Sequence, residues 1–404
     1  MSEQLLEMAE SRQCCSKPKV KYLHIDVTVI CNLKCTYCYY GDYNNKVSKE
    51  KEVSLEKLKE TILDAKILGC TRVIFSGGEV YTSDKFEPLL FFCAENNLEV
   101  TIITNGTLAK RSNVANLLRI RKHLHEVKVS FDGVNHDKIR GKGSTTHTLD
   151  FIEELNACGL PWTLNTIITK LNLPGLKDLY NFLLKRSPKS WRIDHPFLQG
   201  RYVKSQGKLA LDSLESAFVQ LAEILSQYLC DKPNFELWMF TIYRPGLEDW
   251  AFTKQDLHMH PCTYNKRNIA VRGNGEITPC SRFLHPMGNI ATSSLSSVRK
   301  EKGFSDYWNI RIGDLQDCRN CKYLYACGGG CRAHAQYETG DLMSNDPIAC
   351  QIMPLFERYI LPLFSQSTRD SFEILVREAE AQGMAGLPKD WRTRKTIYMQ
   401  LMEE

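Results

Sequence analysis

Residues 20–38 read VKYLHIDVTVICNLKCTYC: a short β-rich run, Val20 to Thr28, that delivers the chain to three cysteines, Cys31, Cys35 and Cys38. Five more such runs follow at Thr71 to Gly77, Leu98 to Asn105, Glu126 to Asp132, Pro161 to Thr169 and Lys189 to Phe197, alternating with amphipathic helical stretches. That alternation is the pattern of parallel βα units. In the first intervening helix Ser54 is placed to cap, Leu55, Leu58, Ile62 and Ala65 share a face, and Gly69 can end it. Six parallel strands make an open doubly wound sheet or an incomplete barrel, and periodicity leaves both open. Either way, chemistry belongs at the carboxyl ends of the strands, where the three cysteines stand.

The 404 residues give a prior of two to three domains. With 43% hydrophobic and 25% charged residues the composition is globular, and no apolar run is long enough for a membrane span. Lysine and arginine exceed aspartate and glutamate by 52 to 47, without a basic stripe, so no nucleic-acid partner is expected. Met1 to Lys19 is polar and lacks an export signal, so a cytoplasmic location is expected. Sixteen cysteines in such a chain are not a disulfide framework; thiolates held for metal explain them. Farther along, Leu214, Phe218, Leu221, Leu225 and Tyr228 recur at spacings of four and three, as in a long amphipathic helix bridging two domains.

Cys31, Cys35 and Cys38 form C-x3-C-x2-C, one thiolate short of the four that usually hold an iron-sulfur cube. A [4Fe-4S] cluster there would leave one iron free to bind a substrate or cofactor; taken alone, the triad also fits buried or zinc-bound cysteines. A second set comprises Cys262, Cys280, Cys318, Cys321, Cys327, Cys331 and Cys350, with Gly275 between the first two. Zinc on two C-x2-C or C-x3-C pairs would leave three of these thiolates unused; two four-ligand sites with one vacancy fit better. Glycines and few periodic segments accompany them, as in a small domain held up by metal.

The triad with Tyr37 before its third cysteine, followed by Gly77-Gly78-Glu79 at the end of the second strand, resembles the radical S-adenosylmethionine (SAM) enzymes. The seven-cysteine pattern resembles the SPASM domain of a peptide-maturase-like branch of that superfamily. The implied fold is α/β: a partial (βα)6 TIM-like barrel, a small cysteine-rich α+β SPASM domain and a helical tail. The expected boundaries are 1–19 for an N-terminal tail, 20–205 for the barrel, 206–255 for a helical bridge, 256–352 for SPASM and 353–404 for the C-terminal helices.

The resemblance implies three [4Fe-4S] clusters. The SAM cluster falls on Cys31, Cys35 and Cys38. An outer auxiliary cluster falls on Cys318, Cys321, Cys327 and Cys350, and an inner one on Cys262, Cys280 and Cys331. The inner site's fourth ligand is Asp256, His258 or His260, or the site is open. The Tyr37 backbone would meet adenine, Glu79 would accept from the SAM amine, and Gly77 and Gly78 would permit close approach. Asn105 and Ser130 would lie near the SAM carboxylate or ribose, and Arg140 would pair with that carboxylate; capping or turn roles are the alternative for Ser130 and Arg140.

Two departures bear on the reaction. Val80 stands where many relatives carry proline, which the turn should tolerate. Ser281 stands where sulfatase-maturating enzymes carry the aspartate that serves as base, which argues against that reaction. Residues 1–19 also leave no room for the peptide-recognition domain of many relatives, so a separate recognition protein is an expected partner. A reductant such as flavodoxin or ferredoxin is another. Asp194, His195 and Arg201 are candidates for substrate contact, with salt-bridge or capping roles as the alternative. Cys70, Cys93 and Cys158 read as buried small hydrophobes.

The resemblance implies reductive cleavage of SAM to a 5'-deoxyadenosyl radical and net oxidation of a substrate carbon. The expected outcome is a C-C or C-S crosslink in a ribosomally made peptide. The alternatives are dehydrogenation of a small-molecule alcohol, a sugar or cyclitol, and, from another class, a non-catalytic iron-sulfur or zinc binding protein.

Overall fold

The computed structural model describes residues 20–41, 51–240, 254–262, 268–283 and 285–381. Cys14, Cys15 and the end of the expected helical tail lie outside these residues. Six parallel strands fall where the sequence places them: β1 Tyr22–Thr28, β2 Arg72–Gly77, β3 Glu99–Thr104, β4 Leu124–Ser130, β5 Trp162–Ile167 and β6 Ser190–Asp194. Each is trimmed or shifted by a few residues. The helix Leu55–Ile67 starts as expected, with the Ser54 hydroxyl accepting the Lys57 N–H at 3.3 Å and Leu58, Ile62 and Ala65 buried.

The expected helical bridge contains the long helix Leu214–Asp231, and then an unanticipated seventh strand, β7 Glu236–Met239, parallel to β6. Its four residues are too few to show a period. The cysteine-rich part adds β8 Asn268–Val271, parallel to the free edge of β1, and β9 Ile277–Thr278, antiparallel to β8. The sheet therefore runs β7-β6-β5-β4-β3-β2-β1-β8-β9 without a break between the barrel and the cysteine-rich segment. Among the described residues no helix is long and apolar enough to cross a membrane.

The two faces of this sheet differ in chemistry. Leu23, Ile25 and Val27 of β1, Val73 and Phe75 of β2, Val127 and Val129 of β4 and Trp191 and Ile193 of β6 belong to one apolar core. Alternate positions, His24 and Asp26, Ser76, Glu126 and Lys128, Asn165 and Arg192, carry polar groups on the other face. Lys128 on β4 depresses His24 on β1, with two strands between, through the concave interior of the open barrel.

The interior is tied to the cysteine-rich segment by Arg272, which follows β8 and is fully buried. One of its nitrogens pairs with Asp26 at 3.3 Å, and another donates to the carbonyls of Ser281 and Phe283, both at 2.8 Å. The Asp26 carboxylate also accepts from Tyr40 and Ser76. Burial pushes Asp26 up to about 6, against the pull of Arg272.

Removing one partner of a buried pair strands the other charge. Arg272→Met should cost about 3–5 kcal/mol of stability, read from the urea midpoint. Adding Asp26→Asn should recover part of that loss, because the stranded carboxylate is then gone; no recovery would show that the pair does not carry the effect.

Candidate active site

The loop after β1 carries the triad, and the turn after β2 fixes the loop. Gly78 N–H donates to the Thr28 carbonyl and Glu79 N–H to the Ile30 carbonyl, both at 2.8 Å. The two backbones run so close that a Cβ at 78 would stand 1.9 Å from the Ile30 oxygen, and one at 77 would stand 2.3 Å from the Thr28 oxygen. Gly77 also has φ +123°, a conformation that favours glycine. The glycines thus serve an approach of the cysteine loop itself. From the other side, Glu52 accepts the Thr28 hydroxyl at 2.7 Å and the Val29 N–H at 2.8 Å while pairing with Lys85.

Burial pushes Cys31 up to about 12 and Cys35 up to about 11, with Cys38 raised as well, and Cys31 also feels the charge of Cys35 and Cys38. Thiolates so buried and so close need a cationic partner, and an all-thiol set is chemistry for iron-sulfur or zinc rather than for a hard cation. Among the described residues no three His, Cys, Asp or Glu side chains are close enough to hold a single metal ion. What the fold brings together are wider groups of thiols. Leu33 N–H donates to Cys31 Sγ at 3.4 Å, so part of the sulfur environment is already formed.

Glu79 is 1% exposed. Its carboxylate accepts the Thr104 hydroxyl at 2.6 Å, Asn105 N–H at 2.7 Å and Tyr81 N–H at 3.3 Å. Burial raises its pKa and these donors oppose the rise. Asn105 Nδ2 donates to Asn32 Oδ1 at 3.0 Å and lies 4.0 Å from Cys31 Sγ. Ser130 ends β4, half-buried on the polar face.

Arg140 does not stand free for an incoming carboxylate. Its Nε donates to Asp132 at 2.7 Å, and the Tyr37 hydroxyl reaches the same carboxylate oxygen at 2.8 Å beneath the guanidinium. Asp132, which sequence reading took only as the end of a strand, thereby anchors Tyr37 of the triad. Arg201 likewise serves the loop: its Nε donates to the Cys35 carbonyl at 2.9 Å and its N–H to the Cys38 carbonyl at 3.0 Å. Asp194 pairs with Arg282, and His195 lies 5.0 Å, ring to ring, from His334, so the end of β6 faces the cysteine-rich segment.

There the thiols fall into two groups. Cys318 feels Cys321 and Cys350, and Cys327 feels Cys318 and Cys321. Cys262, Cys280 and Cys331 all act on the buried Tyr307. His260, one candidate for the missing ligand, is a core residue: its Nδ1 accepts Cys262 N–H at 3.0 Å and its Nε2 donates to the Tyr307 carbonyl at 3.1 Å. Neither ring nitrogen is left for iron. Asp256 caps His258 N–H at 2.9 Å. Cys70 and Cys93 are buried, as expected of small hydrophobes, whereas Cys158 at the end of its helix is only half-buried.

Comparison with known proteins agrees with this geometry. The model of the Radical SAM superfamily matches residues 25–183, and that of SPASM, an iron-sulfur cluster-binding domain, matches residues 262–322. The chain carries a radical SAM domain and a SPASM domain. It is 23% identical to the AdoMet-dependent heme synthase of Oleidesulfovibrio alaskensis over 83% of this chain and 88% of that one. It is 26% identical to the serine-type anaerobic sulfatase-maturating enzyme of Bacteroides thetaiotaomicron over 78% and 83%. The structure of Streptococcus suis SuiB bound to S-adenosylmethionine superposes with a TM-score of 0.68 at 18% identity, covering 86% of this chain and 80% of SuiB. SuiB has also been solved with its precursor peptide SuiA. This radical SAM/SPASM chain is accordingly an enzyme whose family uses SAM and a [4Fe-4S] cluster, with further iron-sulfur centres in SPASM.

Gly78→Ala should force the turn off the cysteine loop and lose the iron of one cluster while the SPASM iron remains, measured by iron and sulfide analysis after anaerobic reconstitution. Gly207→Ala, where a Cβ meets nothing within 4 Å, should keep the full iron content. Equal iron in both variants would show that the close approach is not what holds the triad.

Proposed function

We propose that this enzyme oxidatively modifies a peptide, forming a C-C or C-S crosslink. Cys31, Cys35 and Cys38 hold the cluster that binds SAM, with Tyr37, Gly77, Gly78, Glu79, Asn105, Ser130 and Arg140 around the cofactor. Cys262, Cys280 and Cys331 hold an inner auxiliary cluster, and Cys318, Cys321, Cys327 and Cys350 an outer one, three clusters in all. Bound there, SAM and the clusters supply reductive cleavage to a 5'-deoxyadenosyl radical, removal of a substrate hydrogen and acceptance of the electron left behind.

The chain's own part is placement. The observation that carries the reading is the joining of the two thiol-bearing regions across one sheet: β8 pairs with β1, Arg272 with Asp26, and Arg282 with Asp194 at the end of β6. A substrate at the barrel mouth then lies between the triad and the inner auxiliary thiols, where hydrogen removal and electron acceptance can act on one carbon. Ser281 offers only its carbonyl, to Arg272, and no carboxylate where sulfatase maturation needs one. Glu79 keeps the turn and the start of the β3 loop in register with the cysteines. SuiB, which shares the fold, has been solved with a precursor peptide, and this favours a peptide substrate. A reductant such as flavodoxin or ferredoxin and a separate recognition protein complete the expected cytoplasmic system.

Incubated anaerobically with SAM, dithionite and the correct peptide, the protein should release 5'-deoxyadenosine and leave the peptide lighter by two hydrogens in mass spectrometry. Ala at Cys31, Cys35 and Cys38 should abolish both, whereas Ala at Cys318 and Cys321 should spare 5'-deoxyadenosine release and suppress the mass change. Peptide modification that survives loss of the triad would overturn the reading.

A further inference from the structure

The concave face of β4 to β6 carries charge that the cysteine sites do not use. Ser130, Asn165 and Arg192 are register partners in one row across three strands. Lys128, two residues before Ser130, stands one step deeper on the same face. All of these side chains are half-buried, lining the barrel interior below the triad.

Their partners are unevenly shared. The Lys128 ammonium lies 3.3 Å from Glu126, whose carboxylate also accepts the Thr163 hydroxyl at 2.5 Å. Arg192 lies over the Trp238 ring at 4.6 Å, and its Nε is buried without a hydrogen-bond partner. Among the described residues Arg192 forms no ion pair and no side-chain hydrogen bond. Glu236, on the same face of β7, lies one row deeper and accepts from the Trp238 indole at 3.1 Å. The other charges are committed elsewhere: Asp26 to Arg272, and Arg72 to Glu99 at 2.7 Å. His24 is pushed down to about 3 by burial, then by Arg272 and Lys128, and is neutral at pH 7.

A half-buried guanidinium that feels Glu126 only at a distance and has no anion against its fork gains from one placed there, and its planar fork suits a carboxylate. Lys128 and Arg192 both act on Glu126, and Glu236 lies one row deeper on the same face, so little positive charge is left over, which matches a monoanion better than a phosphate dianion. We propose that Arg192, flanked by Asn165 and Lys128, is a carboxylate subsite that anchors an acidic side chain or chain terminus of the substrate inside the barrel. This deepens the peptide reading and rests on it for the identity of the ligand, but binding at the subsite needs no turnover.

The test uses the reconstituted holoprotein with SAM and no reductant, titrated with N-acetylglutamate N-methylamide and its neutral glutamine counterpart, and read by saturation-transfer NMR. The expected result is at least tenfold tighter binding of the glutamate compound. Arg192→Gln should remove that preference and Arg192→Lys should retain part of it, with SAM affinity unchanged in both. Equal affinity for the two compounds, no binding of either, or a preference that survives Arg192→Gln overturns the subsite. Displacement by inorganic phosphate at lower concentration than by the glutamate compound overturns its assignment to a carboxylate. Because no reductant is present, absence of peptide modification in the turnover assay leaves this result standing, and loss of the binding preference leaves the turnover result standing.

Discussion

The arrangement depends on a backbone contact, two hydrogen bonds from the Gly78 and Glu79 amides to the carbonyls of Thr28 and Ile30. Through it the first two strands hold the cysteine loop at the top of the sheet, with no side chain able to fit between. The rest of the loop is pinned by charged groups that seem, in sequence, to belong elsewhere: Glu52 under Val29, Asp132 on the Tyr37 hydroxyl, and Arg201 on the Cys35 carbonyl. Three thiols, one buried and two half-buried, are thus pre-positioned by groups distant in the chain, so ordering the loop need not be offset by metal binding alone.

The second constraint is continuity of the sheet. Because β8 adds to the edge of β1, the SPASM segment is set against the barrel by strand register. Arg272 then reaches into the barrel interior, and Arg282 meets Asp194 at the far side of the mouth. A buried pair such as Arg272 with Asp26 contributes little net stability but is intolerant of losing one member, which suits a joint that must hold one geometry.

Much of this was legible in the chain itself. The six βα units could be read because their strands are β-rich and their helices periodic, and Ser54 and Gly69 marked one helix at both ends. The triad with Gly77-Gly78-Glu79 pointed to the site through its resemblance to radical SAM enzymes, and the fold then brings that turn against the cysteine loop. β7 was hidden by its shortness. Asp132, Glu52 and Arg201 were not recognisable as supports, since their partners in the loop lie from 23 to 166 positions away and backbone carbonyls and amides leave no mark in sequence. His260 was one of three residues left open as a fourth inner ligand, beside the alternative of an open site, and the Tyr307 carbonyl on its far nitrogen gives it a structural role. The polar concave face had a signal that was available: the alternation of Tyr22, His24 and Asp26 with Leu23, Ile25 and Val27 marks a strand with one polar side, unlike a parallel strand buried on both faces.

The central claim is that the triad leaves one iron open to SAM. Electron-nuclear double resonance on the dithionite-reduced protein, with SAM carrying nitrogen-15 in its methionine amine, tests it most directly. The account predicts a nitrogen-15 hyperfine coupling to a reduced [4Fe-4S] cluster that disappears when Cys35 is replaced by alanine. A reduced cluster signal with no coupling to the label, or a coupling unchanged in that variant, would contradict it.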